Sequence, residues 1–400
     1  MRGFAALLGA SGILAVAAWA LVNSTSWAGP LFANGLRAVV GVEAVARLED
    51  FAYSVEDRIN LWYRRGEKPR AYWKVPAKTP APALGADAEV SPEPQFELAS
   101  VGPVHKSWFA PGDGEWVPVL DPRHPQASIL MKKTLLHPDE NRSWAELFVI
   151  AVDLDQADLH LVPGTREPEA EAAVPESFAR PGRIPTAQLK TLVGAFNGGF
   201  MAEHGHYGMR VDDITLIAPR DRSCTVASYG DGTLEIASWK ELAGREGRMA
   251  WLRQTPPCMY EAGKMNPRLG SRQTRAWGAT LDGDTVIRRS AIGLDGARRI
   301  LFVGVSNHTT ARALAEGMRH AGAVDVAQLD VNWSYPKFLI YAEGPDGQLV
   351  AQALMDGFEY SPDEYVKKSS LRDFFFLTRR ERPLSSRDGA NLCRNCQKSR

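Results

Sequence analysis

Ile300-Leu301-Phe302-Val303-Gly304-Val305 is an unbroken apolar run. Successive strand residues point to opposite faces, so a strand without polar residues has to be covered on both sides. The run is too short for a helix of ordinary length and reads as a doubly buried strand. Leu147-Phe148-Val149-Ile150-Ala151-Val152-Asp153-Leu154 and Thr191-Leu192-Val193-Gly194-Ala195-Phe196 have the same character, and Asp158 to Pro163 continues the former after a turn. The periodicity changes after Val305. Ala311, Leu314, Ala315 and Met318 recur at helical spacing, with Thr309 or Thr310 as the N-cap and Gly322 as the stop signal. Val324 to Leu329 returns to strand, and its end delivers Asp330, Asn332 and Ser334 into a loop. Upstream, Asp282-Gly283-Asp284 supplies a hairpin turn, and Ser290 to Leu294 leads to a second turn at Asp295-Gly296.

Regular strand pattern begins at Trp144. Before it, residues 101–142 read as polar, turn-rich chain anchored by Trp108 and Trp116. Towards the end, Ser361-Pro362-Asp363-Glu364 fits a capping box with proline at the first helical position, and Phe374-Phe375-Phe376-Leu377 reads as a closing strand. The fold class expected is α+β: a β-rich mixed-sheet core with a few packed helices over residues 101–382, preceded by an N-terminal transmembrane helix. The 44% apolar and 24% charged residues are those of an ordinary globular protein, and a formal net charge of zero gives no reason to expect a nucleic-acid partner.

The N-terminus departs from that ordinariness. Gly3 to Val22 carries no charge, and about 20 apolar residues suffice to span a bilayer. Residues 1–24 are therefore read as an uncleaved anchor, with a cleavable signal as the rival. Either way the rest of the chain is expected to be exported, periplasmic or extracellular. Residues 25–70 read as an amphipathic helical segment that lies on the membrane surface or against a partner. Residues 71–100 read as a Pro/Ala-rich linker holding the domain away from the bilayer, and 383–400 as a polar tail. In an oxidising compartment Cys224 and Cys258 can pair, whereas Cys393-Arg394-Asn395-Cys396 reads as a local disulfide or unstructured tail.

Four segments together resemble the phosphodiester glycosidase family, whose name-giving member removes N-acetylglucosamine from a sugar-1-phosphodiester. These are Asn197-Gly198-Gly199-Phe200, Arg289-Ser290-Ala291-Ile292-Gly293, the helix from Ala311 to Gly322, and Ala327-Gln328-Leu329-Asp330. The resemblance covers roughly residues 145 to 380. It departs from the family after Asp330, where Val331-Asn332-Trp333-Ser334-Tyr335-Pro336 stands in place of Gly-Gly-Gly-Ser-Ser.

The resemblance implies a glycan or sugar-phosphodiester substrate and cleavage at the anomeric carbon through an oxocarbenium-like transition state. Asp330 is then the carboxylate, as nucleophile or base. Arg289, the Asn197-Gly198-Gly199 backbone and the start of the following helix receive the phosphate. The two glycines are expected to allow positive φ or close backbone approach to the ligand. His204 or His308 is the proton shuttle, a residue type that titrates near neutral pH. Asn332, Trp333 and Ser334 complete the substrate contacts, with Trp333 and Tyr335 filling the space or offering a stacking face. No cofactor and no metal is expected, since His204 and His206 lack a third ligand at standard spacing. The rival reading is a module of the same fold that binds a glycan or scaffolds the envelope without turnover.

Overall fold

The computed structural model describes residues 42–75, 96–271, 274–278 and 285–380. Among them, strands numbered in chain order form three sheets, and every strand pair is antiparallel.

The largest sheet runs β1 (Val117–Val119), β2 (Met131–Leu136), β3 (Leu147–Asp153), β14 (Ile300–Thr309), β13 (Ile287–Leu294), β15 (Asp325–Val331), β11 (Tyr260–Glu261), β12 (Lys264–Met265). A second contains β7 (Ile214–Ile217), β6 (Met209–Val211), β10 (Met249–Thr255), β8 (Cys224–Tyr229) and β9 (Leu234–Ser238). The third contains β17 (Leu349–Ala353), β16 (Phe338–Glu343), β5 (Leu192–Asn197), β18 (Phe374–Arg379) and β4 (Ala157–Val162). Strands thus begin earlier than Trp144, and the sheets are not mixed. The Ile300 strand and the Asp325 strand are joined by a helix and do run parallel, but β13 lies between them and pairs antiparallel with both.

The apolar runs are explained by what covers each face of the first sheet. Phe148, Ile150, Val152, Leu301, Val303 and Val305 enter a core shared with Phe196 and Phe375 of the third sheet and Trp251 of the second. Leu147, Val149, Ala151 and Phe302 face the other way, onto α2 (Ala311–His320), through Leu314, Ala315 and Met318. Thr310 is the N-cap, its hydroxyl accepting from the Ala313 N–H at 3.1 Å, and Gly322 ends the turn at φ +119°. One bond of the capping box at Ser361 forms, the Ser361 N–H donating to Glu364 at 3.0 Å, but the Glu364 N–H goes to the Ser361 carbonyl, closing a turn, and no helix follows. Phe374–Arg379 closes nothing at an edge: it lies between β5 and β4.

Two expected segments need correction, and the expected anchor is not among the described residues. Among the described residues no helix is long and apolar enough to cross a membrane, and residues 3–22 lie outside them. The amphipathic segment is α1 (Val42–Tyr63), docked on the domain by Arg142, which grips the Asp57 carboxylate with two bonds of 2.7 and 2.6 Å. The ends of the supposed linker belong to the packed domain. Tyr72 and Trp73 lie against Phe148, ring centroids 4.9 and 5.8 Å away, and Phe96 is buried. Residues 76–95, the Asp282-Gly283-Asp284 turn, and the tail with Cys393 and Cys396 lie outside the described residues.

Cys224 and Cys258 form a disulfide with a sequence separation of 34. Closing a loop of that length in the unfolded chain stabilises by roughly 3–4 kcal/mol on chain-entropy grounds. The Cys224→Ser/Cys258→Ser double variant is expected to lose about 2–4 kcal/mol in denaturant unfolding under non-reducing conditions. An unchanged midpoint would show that the crosslink contributes nothing to stability.

Candidate functional site

Asp330 sits near the end of β15 at a break in the ladder. Val331 pairs with Arg289 and Gln328 with Ala291, so three steps on β15 match two on β13. A bulge of this kind re-aims a side chain out of the regular alternation. The Asp330 side chain is only 3% exposed. Its Oδ2 accepts from Arg372 Nη2 and from Asn332 Nδ2, both at 2.7 Å.

Asn332 also explains how the chain turns here without glycine. Its Oδ1 accepts from the backbone N–H groups of Ser334 (3.0 Å) and Tyr335 (2.6 Å), and no residue from Val331 to Lys337 takes a positive φ. A side-chain bond to the backbone two residues on is the Asx turn, which supplies the bend that glycines would otherwise permit.

Asn197, Gly198 and Gly199 meet Asp330 from the third sheet. The Asp330 N–H donates to the Gly198 carbonyl at 3.2 Å. Asn197 Nδ2 donates to Ser290 Oγ at 2.7 Å, and that hydroxyl donates to the Asp330 carbonyl at 3.1 Å. Asn197 is fully buried, so it holds two sheets together and presents no surface to a ligand.

The glycines serve close approach, but to protein rather than to ligand. A Cβ on Gly198 would lie 2.3 Å from Asp373 Oδ2, and one on Gly199 would lie 2.7 Å from Arg253 Cζ. Neither glycine takes a positive φ. The Gly199 N–H donates to Asp373 Oδ2 at 3.0 Å, and the Gly198 N–H to the Asp373 carbonyl at 3.0 Å. The amides expected to receive a phosphate therefore already hold an aspartate.

Arg289 is fully buried on the opposite face of β13 from Ser290, as strand alternation requires. Its guanidinium donates to the carbonyls of Thr309 (3.0 Å), Thr285 (2.8 Å) and Trp277 and to Gln328 Oε1. It braces the turns around β13, and the cation beside Asp330 is Arg372 instead. His204 lies in a short helical turn after the glycines, with Nε2 3.4 Å from Glu203. Its neighbour His206 bonds Glu171 at 2.8 Å. Among the described residues no group of three or more His, Cys, Asp or Glu side chains is placed to hold a metal ion.

Sequence reasoning missed Arg372, Asp373 and Arg253. Arg372 lies over the Tyr335 ring at 4.3 Å, and the Tyr335 hydroxyl donates to the Asp373 carbonyl. Burial lowers the pKa of Arg372, but Asp330, Tyr335 and Asp373 outweigh it and hold the guanidinium above its ordinary value. Burial pushes the Tyr335 hydroxyl above the usual range. The only sequence signal was an Arg-Asp pair ahead of an aromatic strand. That pair reaches the site because Phe374 is in register with Asn197, which strand order alone decides.

His308 and Trp333 fall in a neighbouring place, the seam with α1. Their rings meet at 4.6 Å, and Tyr53 packs on Trp333 at 6.2 Å. Trp333 is thus half-buried packing, not an open stacking face; Ser334 is exposed. Beside them is a polar cavity of about 250 Å³ lined by Glu56, Asn60 and Arg64 of α1 and by Trp144, Asn307 and His308. Burial, with Asp57 adjacent, raises the Glu56 carboxyl. His308 is uncharged at neutral pH and so holds no proton to donate there. Burial and the Arg288 and Arg64 charges bring its pKa down to about 4, with Asp57 opposing them.

No protein-family model matches this chain, and no curated protein does. Among solved structures it is similar to a hypothetical protein from Synechocystis at 12% identity and a TM-score of 0.33, over 64% of this chain and 65% of that one. It is also similar to a Burkholderia pseudomallei protein conjectured to be exported, at 10% identity and a TM-score of 0.29, over 58% and 74%. The chain thus covers just under two thirds of the Synechocystis protein. At these scores neither similarity bears on activity.

Two outcomes follow from the geometry. Gly198→Ala is expected to destabilise by roughly 3 kcal/mol or more, because the new Cβ displaces a buried, paired carboxylate. Full stability in that variant would remove the packing account of the glycine. Between pH 6.5 and 4 the unfolded state binds a proton that folded His308 refuses, so this group's contribution is complete above pH 6.5 and is lost as pH falls. His308→Asn should flatten the stability-against-pH curve in that window by on the order of 2 kcal/mol. Parallel curves for the two proteins would show that His308 is not the group responsible.

Proposed function

We propose that this is an exported, membrane-tethered hydrolase of the phosphodiester glycosidase type, acting on a sugar-1-phosphodiester of the envelope or of an extracellular polysaccharide. The observation that carries the reading is the Asp330–Arg372 pair, set at a bulge and joined through Ser290 to Asn197. It supports the reading because this chemistry needs a carboxylate at the anomeric carbon and a cation at the departing phosphate, and the two are adjacent here.

Arg372 binds the phosphodiester with the fork geometry that suits both carboxylate and phosphate. In doing so it exchanges one anion for the other and releases Asp330. Asp330 then attacks the anomeric carbon or takes the proton of an attacking water. The sugar–oxygen bond breaks, and the phosphate monoester leaves with the electron pair. A phosphate of this kind is a weak base, so the reaction needs little acid assistance, which agrees with an uncharged His308. The Asn332–Pro336 loop has to move for substrate to reach a carboxylate this covered.

The same cover favours a second reading. With the side chain of Asp330 3% exposed and the glycine amides taken by Asp373, the module holds a glycan without cleaving it. The α1 seam, with its polar cavity between Trp144 and His308, is then the binding place.

Because α1 packs on the domain, the test uses the full chain. A panel of sugar-1-phosphodiesters, N-acetylglucosamine-1-phosphate esters first, is assayed for sugar release. Turnover is expected to fall about 100-fold or more in Asp330→Asn. Arg372→Lys should raise KM more than it lowers kcat, since it loses the fork but keeps the charge. Silence across the panel from protein shown to be folded would transfer the proposal to the binding reading. Full activity in Asp330→Asn would remove Asp330 from it.

A further inference from the structure

Among the described residues, the outer side of α1 carries more than half of the exposed large hydrophobic side chains. Nine large hydrophobic residues are exposed among the described residues, and Phe51 (66%), Val55 (36%), Ile59 (58%), Trp62 (75%) and Tyr63 (79%) are five of them. At a hundred degrees per residue these five fall on one arc of the helix, along roughly 18 Å of its length. Tyr53, Glu56, Asp57, Asn60 and Arg64, which meet the domain or line its seam, fall on another arc. The ion pair of Asp57 with Arg142 fixes which arc faces out. A stripe of this kind on a fixed helix is a surface waiting for an apolar neighbour.

We propose that the stripe lies in the interfacial layer of the bilayer, with α1 parallel to the membrane plane. Three observations favour a lipid surface. The uncharged stretch from Gly3 to Val22 precedes α1, and a span there would hold the helix at the bilayer. The stripe ends in Trp62 and Tyr63, the side chains that settle at the headgroup level because one end is apolar and the other polar. Arg58, Arg65, Lys68 and Arg70 cluster at that end against Glu67 alone, a local excess of positive charge in a chain of zero net charge, suited to anionic headgroups. The consequence concerns the site. The polar arc of the same helix lines the cavity at His308, so the seam and the Asn332–Pro336 loop are held about one helix diameter from the lipid, on the order of 10 Å. A substrate reaching them is one presented at the membrane surface.

The proposal rests on the tethered reading above but not on Asp330 turning over any substrate. Its test uses the full chain carrying Ile59→Cys together with Cys393→Ser and Cys396→Ser, so that the Cys224–Cys258 bond is kept. The spin-labelled protein is reconstituted in vesicles of phosphatidylcholine and phosphatidylglycerol. Power-saturation spectroscopy then compares collisions with oxygen, which enters the bilayer, and with a water-soluble nickel chelate. At position 59 oxygen access is expected to exceed nickel access several-fold, and at a control label on exposed Lys240 (Lys240→Cys), in the short helix after β9, the order should reverse. Nickel access prevailing at 59 overturns the proposal. So does exclusion of both reagents, the mark of a protein segment over the stripe. Spin–spin broadening that disappears on dilution with unlabelled protein points to a second copy and also overturns it. Protein that fails to sediment with vesicles overturns it together with the tether, whereas sedimenting protein with a water-exposed label sinks this inference alone.

Discussion

The buried ion pair between Arg253 and Asp373 is the point on which the three sheets depend. Arg253 is fully buried, Asp373 is 1% exposed, and their atoms approach to 2.8 Å. Removing two charges from water is costly, and the pair is tolerated because nearly every remaining polar atom has a partner. Arg253 also donates to the carbonyls of Tyr207, Phe200 and Gln254. Asp373 accepts from the Gly199 N–H, and its carbonyl accepts from Gly198 and Tyr335. Arg253 comes from the second sheet, Asp373 and the glycines from the third, and Gly198 passes the connection to Asp330 in the first. The Asn-Gly-Gly segment is thus shaped by an internal anion, and the Asp330 carboxylate is placed one bond away from it.

This junction divides what was legible in the sequence from what was not. The apolar runs identified the buried strands because covering both faces of a sheet leaves no polar position. Thr310 and Gly322 bounded their helix because caps act within a turn. Asp330, Asn197 and Asn332 were assigned to one site from the resemblance and the loop that departs from it; Ser290 joins Asn197 to the Asp330 backbone, and Asn332 bonds the Asp330 carboxylate. Arg372 and Asp373 were passed over because their partners are distant in sequence and are brought in by strand order. Arg289 was assigned to the phosphate through the family resemblance, but it is fully buried and donates to carbonyls at the end of β14 and in nearby loops. The Ser361 signal formed one of its two bonds and closed a turn without a helix, since such a signal fixes one turn and packing decides whether another follows.

The loop after Asp330 shows how one geometry can be reached by different chemistry. Where glycines would bend the backbone by freedom of φ, Asn332 bends it by accepting two backbone N–H groups, and its amide reaches back to Asp330. The bend acquires a polar side chain fixed beside the carboxylate and two aromatic residues that glycines would have lacked. Trp333 joins the loop to α1, and Tyr335 joins it to Arg372. A loop tied at both ends in this way moves as one piece with its partners, so access to Asp330 and the seating of α1 are mechanically related.

The position of the Phe374–Arg379 strand carries a consequence for how such a chain is made. It is among the last elements in the sequence, yet it fills the gap between β4 and β5, which are far upstream. Until it arrives, both neighbours expose open edges, and Asp373 is absent from the junction that holds the sheets. An unfinished polypeptide therefore cannot rest in a near-native state, and it presents pairing edges to any other chain. Synthesis through Arg379 has to precede the final collapse. A molecule cut short before Phe374 is then recognisable as unfinished by the strand edges it leaves open.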